Sequence, residues 1–419
     1  MNIFTSKGIR FLRNLYEDRP VEAMFVIISI VLIIISAVFA VFTCGDSFIN
    51  ILFKERGDYL TDFFSSVADS LDNPYSDKHV IYPPLTVLAY GCIGKIISFF
   101  VDPIVGVPYA DQMRESVAGL AIYFSTVLIF YILLVIVLVK FNKKRDKKLF
   151  IIEIFLLVLS YPILFSIDRG NSIIFSFIFC LLFVLMYSSE NRYVRYLSYI
   201  CLAVAVSIKI FPIFFWVLIL RERRWGESIL CLFIISIVFL SPFLLTDGSL
   251  SILIDNATTY VSSGDNMNGI INIRNMVYAF IPNDLELVSR ISTVLSYLYL
   301  VLCTLAIILD KQMDRWQAIL LAASMLVLGP GFGAEYLLIY VMIPLIVFLN
   351  ACDENSKYTI CVAIVFALVL SIIPEFVDYR VIGSYKSVLF ALLSFTIIVL
   401  SYRRMLGNVF GRNHVAEQG

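Results

Sequence analysis

Histidine, charge and paired cysteine motifs are all scarce in this sequence. Only two of the 419 residues are histidine, His79 and His414, and their distance along the chain excludes a metal cluster built on histidine. The eight cysteines show no CxxC pair, which argues against a zinc site or a disulfide framework. The formal net charge is +0, so nothing in the composition favours nucleic acid as a partner.

Apolar residues are abundant instead. Hydrophobic residues make up 60% of the chain and its mean hydropathy is +0.91, values typical of an all-α polytopic membrane protein. The first apolar run, Val21–Thr43, follows a basic N-terminus and is longer than the roughly 7–15-residue core of a cleaved signal peptide. We therefore interpret it as an uncleaved first membrane span.

Clusters of lysine and arginine indicate the orientation of the chain, because cytoplasmic loops are enriched in these residues. The clusters lie in residues 1–20, Lys140–Lys148, Asn191–Arg195, Arg221–Arg224 and Arg403–Arg404. Placing all of them in the cytoplasm puts both termini there, with residues 403–419 as a cytoplasmic tail. It also requires Pro83–Phe100 to be a re-entrant or membrane-surface helix on the outer side. If this helix crossed the membrane, the loop at Lys140–Lys148 would lie outside the cell.

This orientation predicts a bundle of about twelve transmembrane helices. Two of the twelve segments are the legs of a short hairpin inside the membrane, and the others are ordinary apolar spans. The ordinary spans are predicted at residues 21–43, 118–139, 149–165, 171–187, 227–245, 290–309, 316–333, 335–350, 358–376 and 383–402.

The hairpin is predicted from Lys209, a charged residue within the apolar run Cys201–Leu220. A charge at the bilayer centre costs at least about 3 kcal/mol, and Pro212 disfavours one continuous helix. Tyr196–Ile208 and Ile210–Leu220 are each too short to cross a hydrocarbon core of about 30 Å. We therefore expect Lys209 at a helix break, on the floor of a cavity open to the outside. The alternative is a structural lysine that reaches the outer surface.

Acidic residues are concentrated in the first predicted outer loop, residues 44–115. Helical spacing there gives an apolar stripe of Leu60, Phe63, Phe64, Val67 and Leu71. This pattern predicts an amphipathic helix at the membrane interface. Asp58 and Asp62 lie one turn apart on the other face, and two close carboxylates raise the pKa of one of them, which suits a general base or acid. The alternative is a solvated acidic face.

Three further polar stretches are candidate parts of a site. The second predicted outer loop, residues 246–288, contains Arg274, and Asn256-Ala-Thr258 within it fits a glycosylation sequon. Asp168-Arg169-Gly170-Asn171 joins two spans and supplies an acceptor, a guanidinium fork suited to phosphate and an amide. Glu335-Tyr336 opens a later span. Each has a simpler interpretation. The loop with Arg274 is then an ordinary polar loop, and Asp168–Asn171 is a turn with a local ion pair. Glu335 is then only a favourable charge at the N-terminus of a helix dipole.

Several of these motifs occur in an order that resembles a known family. An outer-loop aspartate precedes Asn73-Pro74-Tyr75 and Ile81-Tyr82-Pro83-Pro84-Leu85, Gly170-Asn171 follows, and Ser207-Ile208-Lys209-Ile210-Phe211-Pro212 leads to a basic cluster. Over residues 20–350 this order is similar to the polyprenol-phosphate-mannose-dependent glycosyltransferase family of the GT-C superfamily. The chain departs from many relatives at Glu335, where they have histidine, and at Asn266-Met267-Asn268, where they have Asn-Gln-Ser.

The resemblance implies a GT-C-like bundle in the cell membrane whose active site faces the extracytoplasmic side. Such an enzyme moves a hexose, mannose in the family, from a polyprenyl-phosphate sugar to a glycan or glycolipid acceptor, with inversion. An outer-loop aspartate acts as the general base. Asp62 is the first candidate because it precedes the aromatic pair, and Asp58 is the second.

The residue inventory suits this chemistry, since a phosphate leaving group needs cations and hydrogen-bond donors. The residues expected at the donor phosphate are Lys209, Arg169, Asn171 and Arg274. The residues expected to bind substrate are Asp168, Tyr82, Glu335 and Tyr336. No cofactor or metal is expected, because Asp58 and Asp62 alone would form only a weak site for a divalent cation.

The resemblance divides the chain into a catalytic module, residues 21–350, and C-terminal transmembrane helices, residues 351–402. A transporter, or a flippase for lipids or oligosaccharides, is the competing interpretation, since buried charges and broken helices occur in transporters as well. The second half of the chain contains no counterpart of the Lys209 hairpin, which favours the transferase.

Overall fold

The computed structural model describes residues 19–45, 59–141, 147–262, 271–329, 334–351, 356–372 and 385–416. These residues fold into helices and form no β-sheet. The α-helices are α1 (Pro20–Phe42), α2 (Thr61–Asp69), α3 (Pro84–Ser98), α4 (Tyr109–Glu115), α5 (Val117–Phe141), α6 (Lys147–Val158), α7 (Tyr161–Arg169), α8 (Ile173–Met186), α9 (Arg192–Ile208), α10 (Val217–Arg221), α11 (Trp225–Leu240), α12 (Leu250–Ser262), α13 (Ile273–Phe280), α14 (Leu285–Leu309), α15 (Arg315–Leu328), α16 (Met342–Ala351), α17 (Lys357–Leu370) and α18 (Tyr385–Ala416). Shorter 3-10 helices cover Phe211–Trp216, Ser241–Leu245 and Glu335–Val341.

Six helical stretches in the described part of the chain are long and apolar enough to cross a membrane. They are Pro20–Phe42, Val117–Phe141, Lys147–Arg169, Trp225–Leu245, Leu285–Leu309 and Tyr385–Gly407. Six shorter apolar helices of 10–17 residues accompany them. The expected multi-pass helical membrane protein is thereby confirmed, while the number of twelve crossings stays a prediction.

The helices divide into an inner and an outer group. Helices α8, α15 and α16 are apolar all round and are buried along most of their length. Outer helices such as α1, α5 and α14 expose one apolar side, as Ile34 and Phe124 show. A helix that is apolar on every side needs protein around it, whereas an exposed apolar stripe on a long helix suits lipid.

Two predicted spans are not single regular α-helices. The sequence predicts residues 149–165 as one span, but α6 ends at Val158 and α7 starts at Tyr161. Pro162 in the first turn of α7 cannot donate a backbone hydrogen bond and therefore marks a helix start. Residues 335–350 begin as a 3-10 helix and become the α-helix α16 at Met342.

Helix α9 is longer than the predicted first leg of the hairpin. It begins at Arg192 because the Asn191 side chain accepts a hydrogen bond from the backbone N–H of Tyr193 at 2.9 Å. Assigning Asn191–Arg195 to a loop because of its charges was therefore wrong. The 17 residues of α9 span about 26 Å, which is much closer to the thickness of a hydrocarbon core than the predicted leg.

The C-terminal helices close the bundle. Helix α17 packs against α1, and α18 packs against α14, α15 and α17. Arg404 of α18 donates from Nε and Nη2 to the Oδ2 atom of Asp310, at 3.0 and 2.7 Å. Helix α18 continues through Arg403 and Arg404 to Ala416, so no helix end marks the predicted start of a tail at residue 403.

Candidate active site

Helix α2 carries Asp62 in its first turn and is fixed by aromatic packing. Phe63, Phe64 and Val67 are buried on its apolar face. The Phe63 ring meets the Tyr90 ring edge-on at a centroid distance of 5.6 Å and the Tyr123 ring at 5.1 Å. The amphipathic pattern read from the sequence is present, but the expectation that its apolar face lies on lipid was wrong, because that face packs inside the protein.

The expected pairing of Asp58 with Asp62 does not follow from this helix. It assumed a continuous helix through both residues, but α2 begins at Thr61, after Leu60 in the left-handed conformation with a φ of 57°. Asp58 precedes the helix start and lies outside the described residues. The helical spacing that placed the two carboxylates together therefore does not apply.

The turn after α7 approaches the start of α2 closely. The backbone N–H of Leu60 donates to the carbonyl of Asp168 at 2.7 Å. Gly170 has a φ of +70°, and a Cβ atom there would lie 2.6 Å from the Cβ of Phe63. Only glycine meets both conditions without strain. This contact places Arg169 and Asn171 beside Asp62.

Both carboxylate oxygens of Asp62 accept a hydrogen bond. Arg169 Nη2 donates to Oδ1 at 2.7 Å and Asn171 Nδ2 donates to Oδ2 at 2.8 Å. Asn171 is itself oriented, because its Oδ1 accepts the backbone N–H of Ile173 at 3.1 Å at the start of α8. The sequence identified all three side chains but not the contact between them.

Burial raises the pKa of the Asp62 carboxyl, because desolvation disfavours the charged form. The hydrogen bond from Asn171 and the positive charge of Lys209 act in the opposite direction without outweighing burial. A carboxylate with a raised pKa is a stronger base than an ordinary aspartate, which is the property that a general base needs.

The predicted helix break at Lys209 is confirmed. Helix α9 ends at Ile208, whose carbonyl accepts a hydrogen bond from Thr86 Oγ1 at 2.9 Å, and Lys209 is extended with φ −143° and ψ 127°. The lysine is 7% exposed, so it does not reach the surface as the structural alternative required. Its Nζ lies 4.1 Å from the centroid of the Tyr82 ring and 5.7 Å from that of Tyr336.

Glu335 and Tyr336 extend this cluster toward the C-terminal helices. Glu335 is 1% exposed and accepts a hydrogen bond from Tyr161 Oη. The Nζ of Lys386, in α18, lies 3.1 Å from the centroid of the Tyr161 ring. Tyr336 packs against the apolar cluster that contains Tyr161 and also lies near Lys209. Neither Tyr161 nor Lys386 was a candidate from the sequence, although Tyr161 begins the helix that carries Arg169.

A second network joins the two predicted outer loops. Asp247 accepts hydrogen bonds from Ser76 Oγ at 2.7 Å, from Ser76 N at 3.0 Å and from Tyr75 N at 3.3 Å. Tyr75 Oη in turn donates to the carbonyl of Tyr82 at 2.9 Å. The position of Tyr82 under Lys209 is therefore supported from both loops.

The glycosylation sequon belongs to this network. Asn256, in α12, is 9% exposed, and its Nδ2 donates to the carbonyls of Tyr75 at 3.0 Å and Val80 at 3.3 Å. A glycan on that nitrogen would remove both bonds and has no room there, so Asn256 serves as a structural residue.

Two other candidates have no direct hydrogen bond to Asp62 in the described part of the chain. Asp168 lies close enough to Asp62 for their charges to interact, and its carbonyl holds Leu60. Arg274, in α13, is half-buried, and its Nε has no hydrogen-bond partner within the described ranges. No contact in that part of the chain joins Arg274 to Asp62 or Lys209. Its expected role at the donor phosphate stays a prediction.

Comparison with known proteins adds one finding. The profile of glycosyltransferase family 87 matches residues 81–371. A search of curated proteins finds no significant match. The matched range contains Tyr82, Arg169, Asn171 and Lys209, whereas Asp62 precedes it and Lys386 follows it.

Proposed function

The chain belongs to glycosyltransferase family 87, a GT-C fold family of membrane mannosyltransferases, and from this membership we propose that it transfers a hexose from a polyprenyl-phosphate sugar. The acceptor in this proposal is a glycan or glycolipid on the extracytoplasmic side of the membrane. The family assignment favours the transferase over the transporter or flippase. Mannose is the sugar that we expect from the family.

The geometry around Asp62 supports its role as the general base. Each carboxylate oxygen uses one acceptor position for Arg169 or Asn171 and keeps another, to which an acceptor hydroxyl can donate. Asp62 takes the hydroxyl proton while the oxygen forms a bond to the anomeric carbon. The bond between that carbon and the phosphate oxygen breaks with inversion, and polyprenyl phosphate leaves with the electron pair.

The negative charge that develops on the departing phosphate needs a fixed cation. Lys209 is nearly buried, lies over the Tyr82 ring at 4.1 Å and is close enough to Asp62 to affect its charge. A cation in such a low-dielectric site stabilises the leaving group more strongly than one in water. Lys209 is therefore our candidate for the phosphate, with Tyr82 and Tyr336 shaping the space around it.

The single observation that carries the proposal is the convergence of Asp62, Arg169, Asn171 and Lys209. These residues come from α2, the end of α7, the turn after α7 and the residue that follows α9, yet they share one partly buried cluster. A base and a cation side by side are what hydroxyl attack on a phosphate-linked sugar requires.

The test is a transfer assay on purified protein in lipid vesicles with a radiolabelled polyprenyl-phosphate hexose. Asp62→Asn preserves the shape of the side chain but removes the base, so we expect transfer to fall by about 10²–10⁴-fold. Asp69→Asn, at the other end of the same helix, is the matched control and should transfer at the parent rate. Lys209→Met should lower kcat strongly.

Transfer that is equal in the parent, Asp62→Asn and Asp69→Asn would refute the assignment of the base. If the parent protein neither hydrolyses nor transfers a polyprenyl-phosphate hexose and uses a nucleotide sugar instead, the proposed lipid-linked donor is refuted. Thermal unfolding of each variant in detergent separates lost chemistry from lost folding.

A further inference from the structure

The connection between α3 and α4 exposes a compact group of large apolar side chains, which we call the apolar tip. It consists of Phe99, Phe100, Ile104, Val105 and Val107. Their exposed fractions run from 46% to 101%, at least as high as those on the apolar faces of many outer helices. A group of this kind on a protein surface indicates a partner that removes it from water.

The backbone of the apolar tip is hydrogen-bonded by side chains of α4. Gln112 Oε1 accepts the N–H of Ile104 at 2.8 Å, and its Nε2 donates to the carbonyls of Ile104 at 3.0 Å and Val107 at 2.8 Å. Tyr109 Oη donates to the carbonyl of Val101 at 2.9 Å. These bonds satisfy part of the polar backbone of the loop within the protein, which contact with lipid requires.

The course of the chain also points to lipid. After Glu115, the last residue of α4, only Ser116 precedes α5, a long apolar helix suited to span a membrane. The first residue of α5, Val117, is 85% exposed. The apolar tip therefore belongs to a segment that leads directly into the membrane.

Direct contacts join the helix that follows the apolar tip to the helix that carries Asp62. Arg114 of α4 donates from Nη1 to Thr61 Oγ1 at 3.2 Å and to the carbonyl of Tyr59 at 3.3 Å. Its guanidinium carbon also lies 4.9 Å from the centroid of the Tyr59 ring. Helices α4 and α2 also pack directly against each other, so the position of the apolar tip is linked to that of α2.

We propose that the apolar tip inserts into the lipid leaflet on the side of Asp62 and anchors α2 at a fixed height above it. The insertion itself rests on the membrane-spanning fold. Its consequence, that Asp62 is held level with the phosphate of a lipid-borne substrate, rests on the proposed transferase function.

Nitroxide labelling tests the insertion without any measurement of turnover. The label is placed at Val105→Cys in a chain whose Cys44, Cys92, Cys352 and Cys361 are serine, in vesicles of phosphatidylcholine and phosphatidylglycerol. Lys78→Cys, an exposed residue of the preceding loop, is the control. Power saturation should show greater exposure to oxygen than to a water-soluble nickel chelate at residue 105, and the reverse at residue 78.

A second variant tests the role of the backbone bonds. Gln112→Ala removes three of them and should lower the preference for oxygen at residue 105, while the label at residue 78 stays unchanged. Greater access of the nickel chelate than of oxygen at residue 105 in the parent would overturn the proposal. So would a label at residue 105 that neither reagent reaches, since that result would indicate a protein partner.

Discussion

At the residue scale, the properties of Asp62 arise from two opposing influences. Burial in the aromatic surroundings of α2 raises the pKa of its carboxyl, whereas Asn171 and Lys209 favour its charged form. Arg169 holds one oxygen in place at 2.7 Å. The side chain is thus both oriented and more basic than an exposed aspartate, a combination found where proton transfer occurs.

We predict that transfer depends on pH through Asp62. The base must be deprotonated, so kcat/KM should rise with pH as it passes the raised pKa of the Asp62 carboxyl. Asn171→Ala removes a hydrogen bond that favours the charged form, so the pKa should rise further. The acidic limb of a kcat/KM profile should therefore move to higher pH in this variant.

The Asn171 side chain also accepts a hydrogen bond from the backbone N–H of Ile173, the first residue of α8, so its loss affects folding as well. A structural effect alone would lower the rate at every pH and leave the limb where it was. A limb that stays fixed or moves to lower pH in Asn171→Ala would contradict the assignment of Asp62.

Gly170 provides a second prediction at this scale. Its φ of +70°, and the distance of 2.6 Å that would separate an added Cβ from the Cβ of Phe63, leave no room for another side chain. Gly170→Ala should therefore lower the free energy of unfolding by about 1–3 kcal/mol, measured by thermal unfolding in detergent. Gly226→Ala is the matched control, because no atom lies within 4 Å of the added Cβ there. Equal unfolding temperatures in the two variants would show that the close contact between the turn and α2 does not form.

At the element scale, the loop before α3 and the segment before α12 support each other. Asp247 holds Tyr75 and Ser76, and Tyr75 supports the backbone of Tyr82 beneath Lys209. Gly248 permits this contact, since a Cβ there would lie 2.2 Å from the Tyr75 ring. Residues far apart in sequence thus determine the position of Tyr82 at the site.

The charge of Asp247 should stabilise this connection in a pH-dependent manner. Partial burial alone would raise the pKa of its carboxyl, but the hydrogen bonds from Ser76 and Tyr75 outweigh it, and the net pKa is lowered. A lowered folded-state pKa gives stability that is complete above the unfolded value of about 3.9 and is lost as pH falls through the folded value.

Asp247→Asn should therefore unfold at a lower temperature than the parent at pH 7, and the difference should shrink below about pH 4. Differential scanning calorimetry in detergent measures both proteins across this range. Asp255→Asn, an exposed acidic residue in α12, is the control and should match the parent. A difference between Asp247→Asn and the parent that persists unchanged at low pH would show that the charge is not involved.

The sequence predicted the elements better than their contacts. Hydropathy identified the apolar helices, and the pairing of Lys209 with Pro212 identified the break. The start of α9 was missed because Asn191 acts as a cap among basic residues. Asp62 was recognised but its contact with Arg169 was not, since helical spacing cannot show that the end of α7, more than a hundred residues later and brought close at Gly170, supplies Arg169.

At the scale of the whole molecule, the candidate site and the basic residues lie at opposite ends of the same helices. Asn171 precedes the start of α8 on the site side. Near the C-terminal end of α8, Arg315 donates to the carbonyl of Val184 at 2.6 Å. Helix α9 likewise carries Arg195, paired with Glu227 at 2.7 Å, near its start and is followed by Lys209. The 14 residues of α8 separate the two sides by about 21 Å.

Basic residues on the side away from the site also satisfy the ends of helices. Arg221 donates to the carbonyls of Ile307 and Asp310 at 3.2 Å, and Arg404 is paired with Asp310. Guanidinium groups near helix C-termini stabilise the last carbonyls and the negative end of the dipole. These residues therefore stabilise helix packing at one end of the bundle. Their positive charge at that same end also influences the orientation of the protein in the membrane.

We predict that this basic end faces the cytoplasm and that Asp62 faces outward, because lysine and arginine near membrane spans are retained on the cytoplasmic side. A cysteine introduced at Lys78 or at Glu222, two exposed residues on opposite sides, reports this orientation in the chain that lacks Cys44, Cys92, Cys352 and Cys361 and keeps its four buried cysteines. A membrane-impermeant maleimide should label Lys78→Cys in intact cells and Glu222→Cys only after permeabilisation. Labelling in the reverse order would place the site in the cytoplasm, where nucleotide sugars are available, and would remove the main reason for a lipid-linked donor.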